Sequence, residues 1–189
     1  MEIIRGNEII KYIDELGYFR IEIFKDFPYL YQGNMEYENK YLSRYSNSSE
    51  SILIVLKDQE KLVGVCTGIP LKDEDKEFIQ PFQTDNIDEI FYIGEVMVRE
   101  GYRGQGIGTK LLSTMLNLVD QSKFKTVCFY TVDREDNHPL QPPNYKSPES
   151  LWNRLGFFKD PVKIVYYPWQ DINSTNETEK PMNVWIKQL

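Results

Sequence analysis

The stretch Val96-Met-Val-Arg-Glu-Gly-Tyr-Arg-Gly-Gln-Gly-Ile-Gly-Thr-Lys-Leu-Leu112 constrains this chain more than any other. Before it, the run Ile90 to Val98 is apolar and β-type, with Glu95 as its only charge. After it, Ile107, Leu111, Leu112, Met115, Leu116 and Val119 recur at helical spacing. The order is therefore buried strand, glycine-rich turn, amphipathic helix. Gly104, Gly106 and Gly108 remove the side chains that would keep a ligand from the backbone. The first turn of a helix carries unpaired N–H groups and a partial positive charge. A turn of this kind is a cradle for phosphate or pyrophosphate.

The spacing narrows the ligand. A dinucleotide turn needs G-x-G-x-x-G, and a P-loop needs Gly-Lys-Ser/Thr at its end. Here the glycines run G-x-G-x-G, and Lys110 follows Thr109 rather than glycine. Arg103-Gly-Gln-Gly-Ile-Gly108 instead resembles the Q/R-x-x-G-x-G/A signature of the GNAT superfamily of acyl-CoA-dependent N-acyltransferases. Leu151-Trp-Asn-Arg-Leu-Gly-Phe157 is similar to the later L-Y-x-x-L-G-F segment of that family. The matched order covers roughly residues 50 to 189. A glycine-rich connector without a ligand is the plain alternative.

The resemblance implies an α/β (α+β) fold in one domain over residues 1–189. Residues 1–50 would form a helical, substrate-side portion, and residues 51–189 the sheet and acyl-CoA-binding core. The sheet would be mixed, twisted and flanked by helices. Acyl-CoA would lie between two splayed central parallel strands.

The rest of the chain fits such an order. Residues 7–25 and 35–46 place apolar side chains at helical spacing, with Gly17 as a break in the first run. Residues 51–57 and 61–67 read as a β-hairpin around Asp58-Gln-Glu60. Residues 72–89 are acidic and read as a loop, with or without a short helix. Thr126 to Val132 is a further strand. A short helix ends at Leu155, with Gly156 placed to stop it. Residues 162–167 and 183–187 are closing strands separated by a hydrophilic loop.

Composition bounds the function. The net charge is −7, which argues against a nucleic-acid surface and is compatible with a cationic amine substrate. A single histidine, His138, excludes a multi-histidine metal site, and no metal is expected. Cys66 and Cys128 lie in apolar runs and read as buried thiols. No targeting segment, apolar span or lipidation motif is recognised, so the expected location is cytoplasmic.

The resemblance implies an N-acetyltransferase that moves an acetyl group from acetyl-CoA to a primary amine by direct attack in a ternary complex. The alternative is a non-catalytic acyl-CoA-binding or regulatory module. Partners are a small-molecule or peptide amine, with no nucleic acid and no membrane, in a monomer or homodimer. The pyrophosphate falls to Arg103, Gly104, Gln105, Gly106, Ile107, Gly108 and Thr109. Pantetheine would run along Val96, Met97 and Val98, whose main chain would polarise the thioester. Glu95 is the candidate base, or else a structural ion pair; strand alternation puts it on one face with Ile93 and Met97. Family tyrosines that protonate the leaving thiolate match Trp152 here, which has no transferable proton near neutral pH. Trp152 is then packing or a channel wall. Tyr145 is the first candidate for the acid, with Tyr130 or solvent as alternatives. The long Asp133–Tyr145 loop would shape the substrate side.

Overall fold

The computed structural model describes residues 1–135 and 138–189. Asp136 and Asn137, inside the loop expected to shape the substrate side, lie outside the described residues. The chain runs β1 (Glu2–Arg5), α1 (Ile13–Phe24), α2 (Met35–Asn47), β2 (Ile52–Asp58) and β3 (Lys61–Pro70). It continues through α3 (Lys76–Ile79), β4 (Ile90–Val98), α4 (Ile107–Leu118), β5 (Thr126–Val132) and α5 (Glu149–Arg154). The hairpin β6 (Phe158–Gln170) and β7 (Glu177–Gln188) closes it. All seven strands form one mixed sheet in the order β1-β2-β3-β4-β5-β7-β6.

Three features were not visible in the residue pattern. β1 pairs with β2, so the helical first portion also supplies an edge strand. β6 and β7 absorb most of the hydrophilic stretch between them, because each is an amphipathic strand with one wet face. Gly17 does not interrupt its helix. It lies within α1 and is buried, and a side chain there would collide with Met35 of α2.

Two apolar layers sandwich the sheet. α4 covers one face, over Phe91, Ile93, Val127 and Phe129. α1 and α2 cover the other, over Tyr92, Met97, Cys128 and Tyr130. Ser51 Oγ ties the end of α2 to the start of β2 by donating to the Ser48 carbonyl at 2.8 Å. The two thiols are fully buried and free, and burial pushes both well above the ordinary range, so they serve as packing.

Two irregularities open the centre of the sheet. β4 and β5 pair in parallel only at Ile90↔Thr126, Phe91↔Val127 and Tyr92↔Cys128. Beyond Tyr92 the two strands part, and their facing edges have no strand partner. Opposite that point β4 carries a bulge: Gly68 pairs with Ile93 and Thr67 with Glu95, leaving Gly94 unmatched. The extra residue reverses the alternation. Ile93 faces α4, whereas Glu95 and Met97 face α1 and α2. The expected shared face of Ile93 with Glu95 and Met97 is therefore corrected. Gly94 is required at the bulge, since the Tyr45 hydroxyl occupies the space of its missing Cβ.

Candidate active site

The glycine turn sits at the open end of β4. Gly104 and Gly106 adopt φ of +75° and +79°, a left-handed conformation that costs most side chains dearly. Gly106 is the N-cap of α4, and Lys110 N–H makes the first helical bond to its carbonyl at 3.0 Å. Among the described residues, the amides of Gln105 to Thr109 donate no backbone hydrogen bond. No atom lies within 4 Å of the place a Cβ would take on Gly104 or Gly106. A Cβ on Gly108 would meet only Val98 at 3.8 Å. The turn is thus an exposed cluster of unpaired donors in open space, as an anion requires.

The neighbouring residues hold this turn in place. Arg103 Nε donates to the Val98 carbonyl at 3.0 Å, and its guanidinium lies 3.6 Å from Asp26. Gln105 Nε2 donates to the Gly101 carbonyl at 3.2 Å. Ile107 packs beside Gly64 of β3. Along β4, Met97 is buried in the core, so only its main chain is free to meet a ligand. Val96 is exposed and Val98 is half-buried.

On the other side of the sheet lies a cavity of about 70 Å³. α1 supplies Arg20 and Phe24, and α2 supplies Tyr37 and Tyr41. Tyr92, Gly94 and Glu95 of β4 and Tyr130 of β5 form the floor, where the strands part. Tyr29, Tyr31, Tyr167 and Trp169 form the roof. Burial pushes the phenols up: Tyr29 to about 12, and Tyr41, Tyr92 and Tyr130 well above their ordinary range.

Glu95 is 4% exposed and lines this cavity. The Arg20 guanidinium pairs with its Oε1, which also accepts from Tyr41 Oη at 3.1 Å. Thr67 Oγ1 donates to its Oε2. An ionised carboxylate offers about four acceptor positions. Three are taken, and one remains. Arg20 also donates from Nε to Glu38 at 2.5 Å, and Glu38 is fully buried. Burial works against the charge on Arg20, but the adjacent Glu38 outweighs it and holds the guanidinium protonated. The Tyr41 ring is sandwiched, with Arg20 at 4.2 Å on one side and Arg44 at 4.3 Å from its centroid.

The roof has its own fastening. Arg134 donates from Nε to the Pro28 carbonyl at 2.8 Å and from Nη2 to the Tyr29 carbonyl at 2.6 Å. The same Nη2 pairs with Asp171 at 2.8 Å. Trp169 Nε1 donates to the Tyr29 carbonyl at 3.0 Å.

Two expected site residues lie elsewhere. Tyr145 stands edge-on to Phe27, with centroids 4.8 Å apart, and does not line the cavity. Trp152 packs against Phe129 and Trp185, at 5.1 and 4.9 Å, on the α4 side. Tyr130 does line the cavity, but its hydroxyl donates to the Phe78 carbonyl at 2.7 Å. His138 accepts from the Leu140 amide at 3.2 Å and lies beside Phe27.

Residue patterns alone missed Arg20, Glu38 and Arg134. A usable signal existed for two of them. Arg20 has Leu16, Ile23 and Phe24 three or four residues away, and Glu38 has Met35, Tyr41 and Leu42. A charge on the apolar stripe of a helix marks a buried pair, as an isolated charge in an apolar strand does.

Comparison with known proteins agrees with this geometry. Residues 18–142 match the model of the acetyltransferase (GNAT) family, and the chain belongs to that family. A probable N-acetyltransferase, camello, of Xenopus laevis is 30% identical over 130 residues, 69% of this chain. The match spans 47% of that relative, so the chain covers about half its length. Among solved structures, ribosomal-protein-alanine N-acetyltransferase of Brucella melitensis superposes with a TM-score of 0.62 at 13% identity, covering 100% of both chains. Arabidopsis thaliana NAA60 with a bisubstrate analogue gives 0.59 at 16%, covering 100% of this chain and 98% of its own. An aminoglycoside 6'-N-acetyltransferase complexed with coenzyme A gives 0.58 at 18%, covering 100% and 97%. At such identities the structures share the fold. Among the described residues, no group of three or more His, Cys, Asp or Glu is arranged to hold a metal. No helix among them is long and apolar enough to cross a membrane.

Proposed function

We propose that this protein is an acetyl-CoA-dependent N-acetyltransferase that acts on a primary amine by direct transfer in a ternary complex. The observation that carries this reading is the gap between β4 and β5. It has the anion-binding turn at one end and the Glu95 cavity on its floor. The pyrophosphate lies on the amides of Gln105 to Thr109, and the pantetheine follows the open edge of β4 at Val96 to Val98. The thioester then meets the cavity at the bulge.

In the reaction the amine nitrogen forms the new bond to the acetyl carbon and the carbon–sulfur bond breaks. A main-chain amide near Met97 or Val98 stabilises the carbonyl oxygen as it gains charge. Glu95 takes the amine proton at its remaining acceptor position, directly or through one water. Arg20 holds the carboxylate in place. The departing group is a thiolate whose ordinary pKa of about 8.5 makes it a good leaving group. We therefore assign its protonation to solvent, with Tyr145 as the side chain to be tested. The test of the whole reading is thiol release from acetyl-CoA with a panel of amines. Acetyl-CoA binding without thiol release for any amine would overturn it. That result would favour the second reading, a non-catalytic acyl-CoA-binding module, which Trp152, packed on Phe129 and Trp185 where the family motif has a tyrosine, supports.

A further inference from the structure

The cavity beneath the roof has a chemistry of its own. Ten aromatic rings line it. Several of its polar groups are already committed, whereas the buried Tyr31 hydroxyl has no partner and Glu95 keeps one acceptor position. Tyr37 and Tyr167 hydroxyls bond each other at 2.6 Å, Tyr130 serves the Phe78 carbonyl, and Tyr41 serves Glu95. Arg20 is divided between Glu38 and Glu95. A ligand hydroxyl entering here would leave water and find few partners. Each hydroxyl left unpaired there costs affinity.

The charge balance points the same way. Two buried carboxylates, Glu38 and Glu95, share one guanidinium, Arg20. Glu38 engages Arg20 from outside the cavity lining, so the carboxylate the cavity itself presents is Glu95, and its ring faces attract ammonium groups. The volume, about 70 Å³, is well below the roughly 150 Å³ of a cavity that holds benzene. It takes the end of a slender chain rather than a sugar ring.

We infer that the acceptor is a primary amine carried on an unbranched alkyl arm, not a polyhydroxylated amino sugar. The amine end lies at Glu95, and the apolar arm runs outward between Tyr29, Tyr37, Tyr167 and Trp169. This rests on the acetyltransferase reading for the reaction, but not for the binding preference. The fold likeness to an aminoglycoside acetyltransferase would then not extend to the acceptor.

Calorimetry on CoA-saturated protein tests it, with n-butylamine and n-hexylamine against glucosamine and kanamycin. The expected result is at least about tenfold tighter binding of the two apolar amines. Acetyl transfer should show the same preference in kcat/KM. Tyr29→Leu, which stays apolar and removes a ring face, should weaken n-hexylamine by about fivefold and leave CoA affinity unchanged. Glucosamine or kanamycin binding as well as the apolar amines would overturn the inference, as would no binding of any amine. An n-hexylamine affinity unaffected by Tyr29→Leu would also overturn it. Preferential alkylamine binding without acetyl transfer would uphold this assignment and remove the acetyltransferase reading. Equal transfer to glucosamine would do the reverse.

Discussion

The two halves of the site are built on opposite plans. The cofactor half is local, exposed and made of backbone: the turn from Arg103 to Thr109 needs glycines and a helix start. The acceptor half is buried and made of side chains drawn from α1, α2, β3, β4 and the β6–β7 hairpin. On the proposed function, the cofactor half would recognise a group common to every acyl-CoA. The acceptor half would then have to discriminate, by shape, rings and the Glu95 carboxylate.

Mutations should separate the halves, beginning with the largest effect. Arg20→Leu strips the cation from two buried carboxylates and should cost about 3–5 kcal/mol of stability in a denaturant titration. Little loss there would mean that Glu38 and Glu95 do not depend on Arg20. Glu95→Gln should lower kcat about a hundredfold with acetyl-CoA affinity retained. A change within about twofold across the pH profile would remove Glu95 as base.

On the cofactor half, Gly108→Val should weaken CoA by about tenfold or more and leave the fold intact. Gly108 is the cleaner position than Gly106, whose positive φ would strain any replacement. Undiminished CoA affinity would sink the cradle. Arg134→Ala releases the roof and should raise the acceptor KM about fivefold without moving that for acetyl-CoA. Equal shifts in both KM values would show a general loss of structure instead. The smallest effect expected is that of Tyr145→Phe, within about twofold in turnover, because the ring faces Phe27. A large drop with binding intact would restore Tyr145 as the acid.

The same contrast explains what could be read from the residues. β4, β5 and the α4 turn were legible because their signals are local: an apolar run, glycines, then helical spacing. The direction of Glu95 was not, because one unpaired residue at Gly94 reverses the strand faces and no periodicity announces it. Arg20, Glu38 and Glu95 come together from three elements far apart in the chain. The identity of a buried charge was visible, but its partner was set by tertiary packing.

The parting of β4 from β5 leaves a sheet that is unfinished by a few rungs. Main-chain groups on those edges cannot be deleted by any side-chain replacement. Val96 and Val98 can drift among residues of similar size and the edge remains. Proline is the exception, since it removes the N–H and restricts the chain. This part of the site is thus written in geometry rather than in letters, and it withstands side-chain replacements that the charged floor beneath it would not.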